Sequence, residues 1–401
     1  MGWKKTIIYL LLPTVALLAL LEGTARIIEI WRPPWKVDYG WGFDPGSRLF
    51  VPSAEEPGIM ITDPFKEVSF PQERFPTPKP KNHFRAFMLG ESSVNYIQTR
   101  LKAMALGLTF RFQGKYMIEM LDAGGLAYGT HRLTPIAAEI LDYEPDLVLL
   151  YIGHNEFEEA EQMRFVHLGT LPLQKVLYKS AFCRLIRDGI GAVQVSAIQR
   201  ERNQRIMAQP EADYASGARH EYTPVEVQER LSAYRNNLTI ILELCRKRGV
   251  PVIIGTVASN LWKPDLPTEA QKQKVKALYD QGEYEKGLAL ARQILRTSVH
   301  HQASDAENEV IRDLARQYDV PIADVEAAVI AAEPHGIPGE TLLSDRCHLN
   351  EEGKCLLIRV FQEQIARLLE QRKSTATPLA PNSREGANPA RTASLLLDVP
   401  Y

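Results

Sequence analysis

The chain has 401 residues, 45% of them hydrophobic and 24% charged, a composition that suits one large folded domain or two modest ones. A formal charge of -2 leaves no basic surplus, so no nucleic-acid partner is expected. The four cysteines, Cys183, Cys245, Cys347 and Cys355, form no CxxC pair and signal neither a zinc knuckle nor a dense disulfide scaffold. Free thiols are the preferred state, with a Cys347–Cys355 bridge as the alternative.

Lys4 and Lys5 precede an apolar run from Ile7 to Leu21, which breaks at Glu22 and resumes around Ile28 to Trp31. An uncleaved signal anchor over residues 1–31 is the preferred reading, against a cleaved signal peptide and a buried core helix. The basic flank then predicts the inner (cytoplasmic) membrane as a partner. The protein would be single-pass with its body periplasmic or extracellular.

Residues 32–83 are rich in Pro, Gly and aromatics and read as an extended lead-in to a domain over 84–370. Ala86 to Leu89 is a short apolar strand ending at Gly90, and Ile118 to Ala123 is a weaker one leaving at Gly124-Gly125. A helix over Thr134–Tyr143 leads into Pro145–Ile152, an unbroken apolar run of the kind buried on both faces of a parallel sheet. A long amphipathic helix from Val225 to Lys247 precedes a strand at Val250–Val257, and a last strand is expected at Val320–Val325. Strands alternating with helices predict an α/β layered sheet, with ligands beyond the strands' C-terminal ends.

Two segments interrupt this alternation. Residues 164–222 read as a lid or insertion. Residues 266–316 read as a helical hairpin, in which the spacing of Ala277, Gly282, Tyr284, Gly287 and Ala291 resembles one tetratricopeptide unit. From 371 to 401 a Ser-, Thr-, Pro- and Ala-rich tail is expected to be disordered, with Leu395–Leu397 as a docking patch.

Three polar blocks carry chemistry. Ser92, in Gly90-Glu91-Ser92-Ser93, follows a strand end where its hydroxyl can be presented, though taken alone the helix-capping serine is the preferred reading. Gly153-His154-Asn155-Glu156-Phe157 follows the clearest strand; the Asn155 amide can donate to an oxyanion, and Gly153 permits close approach. His154 and Glu156 either line a pocket with Glu91 or hold Asn155 in place, and Asn260 after the next strand is a further pocket candidate. Asp345 and His348 are three residues apart, which places both on one face if the segment is helical, so that the carboxylate can orient an imidazole base. No further spacing completes a metal site, and no cofactor is expected.

In their order, Gly90-Glu91-Ser92, Gly153-x-Asn155 and Asp345-x-x-His348 resemble the SGNH (GDSL-like) hydrolases. The likeness is to a bacterial membrane-anchored subgroup with a Gly-His-Asn-Glu-Phe block, a Thr256-to-Leu261 stretch and a tetratricopeptide-like insertion. It covers roughly residues 38 to 368. The resemblance implies a flavodoxin-like three-layer α/β/α fold with a central parallel sheet and helical insertions. It implies Ser92 as nucleophile, His348 as base and Asp345 as orienting acid. The oxyanion donors would be the Ser92 N–H, the Asn155 side chain and a second-block N–H from Ala127 or Gly125. Glu91 stands where the family usually has Asp. The expected function is an esterase acting on acyl esters, including acylated glycans or lipids. The alternatives are an O-acyltransferase on envelope glycans and an inactive interaction protein with a protein partner at the helical insertion.

Overall fold

The computed structural model describes residues 3–32, 48–163, 176–177, 179–190, 193, 223–298 and 301–375. The chain divides into two compact units, Met1–Gln364 and Ile365–Tyr401. Most of the 164–222 segment lies outside the described residues, as do 376–401 with Leu395–Leu397.

Helix α1 spans Trp3–Trp31. Among the described residues no helix is long and apolar enough to cross a membrane. That finding overturns the signal anchor, the membrane as partner and the single-pass location in the inner membrane with an outside body. The charged residues that break the apolar run explain the difference, because they are engaged with protein. Glu22 accepts hydrogen bonds from the Ser180 hydroxyl at 2.7 Å and from the Ala181 and Phe182 N–H groups at 3.1 and 3.2 Å. These bonds, Ser180's foremost, hold its carboxyl down at about 2. Seven residues further along, Glu29 pairs with Arg184 at 2.6 Å, while Leu17, Leu20 and Ile27 are exposed.

The lead-in contains a small antiparallel sheet of β1 (Phe50–Pro52), β2 (Ile59–Thr62) and β3 (Arg74–Pro76). The main sheet holds β4 (His83–Gly90), β5 (Met117–Gly124), β6 (Leu147–Tyr151), β7 (Val252–Gly255) and β8 (Ile322–Ala323). All its pairings are parallel, and its order is β5-β4-β6-β7-β8. Counted along the chain this is 2-1-3-4-5, the flavodoxin-like order, whose direction of winding reverses between β4 and β6. The apolar runs form strands because burial from both faces demands it: every residue of β6 is buried.

Helices cover both faces in a three-layer α/β/α arrangement. On one face α3 (Gln98–Arg111) packs on β5, and its Arg100 pairs with Glu351 at the start of α11 (Glu351–Thr375). Phe361 of α11 lies against Tyr151 and fills the space that a Cβ on Gly255 would occupy. On the other face α4 (Thr130–Ile140), α6 (Pro224–Lys247) and α9 (Asp305–Tyr318) pack in succession. Two short helices, α2 (Ser92–Asn95) and α5 (Glu156–Met163), leave β4 and β6, and α10 (Val325–Ala332) leaves β8.

Residues 266–316 form α7 (Glu269–Asp280), α8 (Tyr284–Thr297) and then α9. The α7–α8 hairpin has its own core of Leu261, Leu266, Val275, Tyr279, Ala291, Leu295 and Ile337. Gly287 is needed in that core, because a Cβ there would sit 2.4 Å from the Tyr279 ring. The α9 helix instead belongs to the main body, packed on α6 and β7.

Candidate active site

The register of the sheet brings the candidate blocks together. Gly90 at the end of β4 pairs with Gly124 on one side and Tyr151 on the other, so all three strands end at one level. Glu91-Ser92, Gly125 and Gly153-His154-Asn155 therefore emerge beside one another, at the crevice where the winding reverses. Two glycines make this junction tight enough. A Cβ on Gly90 would lie 2.3 Å from Val94 Cγ2, and one on Gly124 would lie 2.4 Å from the Asn95 nitrogen.

Ser92 is the first residue of α2, and Glu91, not Ser92, occupies the capping position. The serine hydroxyl is instead hydrogen-bonded to His348 Nε2 at 2.7 Å. On the far side of the ring, Nδ1 lies 2.7 Å from Asp345 Oδ2. With Nδ1–H donated to the carboxylate, Nε2 is left as the acceptor facing the serine.

The Asp345–His348 segment differs from the expected helical turn. It is a bend closed by a bridge between Leu343 and Leu349, and the Asp345 side chain itself shapes it. Asp345 Oδ1 accepts the N–H groups of Cys347 at 2.8 Å and His348 at 2.7 Å, a side-chain-to-backbone turn that needs no helix. Burial alone would raise the Asp345 pKa. The hydrogen bonds from the His348 ring and from the two N–H groups outweigh it and hold the carboxyl well below the usual range. Asn260 supports this bend: its N–H donates to Arg346 O at 2.9 Å and its Nδ2 to Asp345 O at 3.2 Å. It is buried and acts as a brace.

Glu91 is 1% exposed and ties the two strand exits together. Its Oε2 accepts the His154 N–H at 2.8 Å and its Oε1 the Asn155 N–H at 3.0 Å. Burial pushes its carboxyl well up, Glu156 adds to this, and the N–H donors of Asn155, His154 and Gly153 pull the other way. Asn155 is held further by a bond from its Nδ2 to Tyr128 O at 3.3 Å, which occupies one of the two amide hydrogens. His154 turns inward; its Nδ1 accepts the Ala303 N–H at 3.0 Å, so the ring carries its proton on Nε2. Gly153 sits where a Cβ would be 3.1 Å from Val257 Cγ2.

Glu156 also faces the interior. It accepts the N–H and hydroxyl of Thr130, each at 2.8 Å, and pairs with Arg230 at 2.8 Å. Glu159 accepts the N–H groups of His131 and Arg132 at 2.8 and 3.1 Å and pairs with the Arg132 guanidinium. The two carboxylates thus satisfy the otherwise unpaired donors at the start of α4. Glu159 and Arg230 were not among the candidates; the only sequence signal for Glu159 is its position one helical turn beyond Glu156.

The second block separates its two oxyanion candidates. The Gly125 N–H is spent on Gly90 O at 2.9 Å. Ala127 adopts φ 59°, the left-handed region that costs a non-glycine residue about 1–2 kcal/mol, and its N–H has no partner among the described residues. Tyr96, one turn past Ser92, places its ring 5.3 Å from that of His348, a neighbour the sequence reading did not mark.

Asp345, Cys347 and His348 bring three potential metal-ligand atoms within 4.8 Å of one another. Asp345 and His348 are already bonded to each other, and burial holds the Cys347 thiol well above its ordinary pKa, so the set is poorly suited to a cation. All four cysteines are free.

No family model and no curated protein matches the chain. Among solved structures it is similar to a GDSL-like lipase from Bacteroides thetaiotaomicron VPI-5482, with 11% identity, TM-score 0.40, and 73% of this chain and 92% of that one covered. It is similar also to an acetylxylan esterase from Geobacillus stearothermophilus, with 13% identity, TM-score 0.39, and 71% and 96% covered. A third likeness is to the acetyl xylan esterase AlAXEase, with 13% identity, TM-score 0.39, and 70% and 99% covered. At such low identity and TM-score these likenesses leave the activity to be judged from the site alone.

Proposed function

We propose that this chain is a serine-dependent acyl ester hydrolase of the SGNH (GDSL-like) type, with Ser92 as nucleophile. The observation that carries the reading is the unbroken relay from Ser92 through His348 to Asp345, with 2.7 Å at each step. His348 Nε2 takes the hydroxyl proton as Ser92 Oγ attacks the acyl carbonyl carbon. Asp345 stays ionised throughout and stabilises the imidazolium. His348 then hands the proton to the departing alkoxide, leaving an ester on Ser92. A water, deprotonated by the same nitrogen, adds to that ester; the bond to Ser92 Oγ then breaks, His348 returns the proton to Oγ, and the acid leaves.

The oxyanion of both tetrahedral stages would be held by the N–H groups of Ser92 and Ala127 and by the second amide hydrogen of Asn155. Ala127 is preferred over Gly125, whose N–H is already used by Gly90. Glu91 serves here by locking the Asn155 backbone to the nucleophile's turn, and Asn260 by bracing the acid–base bend. Glu156 and His154 contribute to the framework and not to a substrate pocket.

The test is hydrolysis of p-nitrophenyl acetate by the full chain. Turnover that drops by at least about 10³-fold in both Ser92→Ala and His348→Ala supports the reading. A folded wild-type chain with no turnover, or a fully active Ser92→Ala, removes it.

A further inference from the structure

A cleft of about 570 Å³ opens beside the acid–base bend, between the 262–265 loop and α7 of the helical hairpin. Its walls include Trp262, Tyr279, Asp265, Lys272, Gln273 and Arg346. Arg346 connects it to the candidate chemistry, lying between Asp345 and His348 in sequence. Successive Cα atoms are about 3.8 Å apart, so the Arg346 Cα is at most roughly 7.6 Å from that of His348. The 262–265 loop is tied to the same bend, through Asn260 and through the Arg346–Asp265 ion pair at 3.2 Å.

The lining narrows the class of ligand. Trp262 is stacked flat on Tyr279, with centroids 4.8 Å apart and 6° between the planes, which fixes the indole as a rigid apolar plate. Tyr279 is locked in turn by its hydroxyl, which donates to Leu261 O at 2.9 Å. The rest of the lining holds both donors and acceptors: Lys272 has no ion-pair partner among the described residues, Gln273 donates to Glu269, and Asp265 pairs with Arg346. A lipid chain would meet charges along these walls. A polyanion would meet Asp265 and Glu269 among the cations. A neutral polyhydroxylated ring satisfies both kinds of group and presents a C–H face to an indole.

We propose that this cleft is a saccharide subsite, so that the substrate is an acylated carbohydrate whose ester is presented to Ser92 while a neighbouring sugar unit rests on Trp262. The proposal rests on the serine-hydrolase reading above and adds a substrate class to it.

The experiment compares partly acetylated cellotetraose with p-nitrophenyl acetate, which is too short to occupy the cleft, using the full chain. The wild type should show the higher kcat/KM on the tetrasaccharide. Trp262→Ala should raise KM for the tetrasaccharide about tenfold or more and leave p-nitrophenyl acetate within twofold. The doubly substituted Lys272→Ala, Gln273→Ala variant changes only exposed side chains, so it reads the cleft even if Trp262→Ala disturbs the hairpin; it should raise the same KM several-fold. No preference for the tetrasaccharide, or a failure of both variants to change its KM selectively, overturns the subsite. Absence of p-nitrophenyl acetate turnover by the wild type instead overturns the hydrolase reading beneath it.

Discussion

Glu91→Gln isolates the tie that holds the two strand exits together. The substitution keeps size and shape but replaces one carboxylate oxygen by an NH2 group. In the native arrangement each oxygen accepts one backbone N–H, from His154 and from Asn155. Whichever way the amide is turned, one of those donors faces another donor, in a position that is 1% exposed and closed to water. One hydrogen bond is lost, at about 0.5–1.5 kcal/mol, and a buried N–H is left unsatisfied, at about 1–3 kcal/mol. The strain can be relieved by moving residues 154–155 away from Ser92, and a shift on the order of 1 Å in a catalytic group can cost about 10²-fold in rate. Chemical denaturation should therefore show a loss of about 2–4 kcal/mol. Steady-state kinetics on p-nitrophenyl acetate should show kcat reduced at least about tenfold with KM little changed. A Glu91→Gln chain with wild-type stability and wild-type kcat would refute the role assigned to this carboxylate.

Other perturbations read different parts of the site. On the proposed mechanism Asn155→Ala removes one oxyanion donor and leaves the relay intact, so kcat should fall by about 10²–10³ with a modest change in KM. A loss as complete as that of Ser92→Ala would mean the loop had collapsed. His131 is held neutral by burial and by Arg230, which lower its pKa to about 4, and its Nδ1 lies 3.1 Å from the Asn237 amide. Between about pH 6.5 and pH 4 the unfolded chain binds a proton there that the folded chain does not. Stability should therefore fall as pH drops through that window, by up to about 3.4 kcal/mol from this group. His131→Gln should flatten that part of the pH–stability curve, and an unchanged slope would contradict the assignment.

The five strands of the main sheet were legible because burial on both faces leaves near-continuous apolar runs, as in Leu147–Tyr151. The lead-in sheet was not, since strands as short as Phe50–Pro52 carry too few residues to show a period. Among the site residues, order and placement after strands brought out Ser92, Asn155, Asp345 and His348, and the structure sets three of them in one hydrogen-bonded line. The Asp345–His348 spacing suggested a helical face, but a carboxylate that bonds two backbone N–H groups folds a tighter bend at the same separation. Glu91, His154 and Glu156 were harder to judge. A polar residue after a strand carries no mark of whether it turns toward solvent or, as these do, toward buried N–H groups of the next loop. The N-terminal helix misled for a related reason: apolar composition predicts a membrane span, but Glu22 and Glu29 find partners at Ser180 and Arg184 that lie far away in sequence.

The central claim, that His348 and Asp345 make Ser92 a nucleophile, is met most directly by mass measurement of the intact chain after treatment with a fluorophosphonate. The account predicts one adduct, mapped by peptide analysis to Ser92, absent from Ser92→Ala and slowed at least about a hundredfold in His348→Ala. A folded wild-type chain that takes up no label, or that is labelled at another serine with Ser92→Ala still reacting, would contradict it.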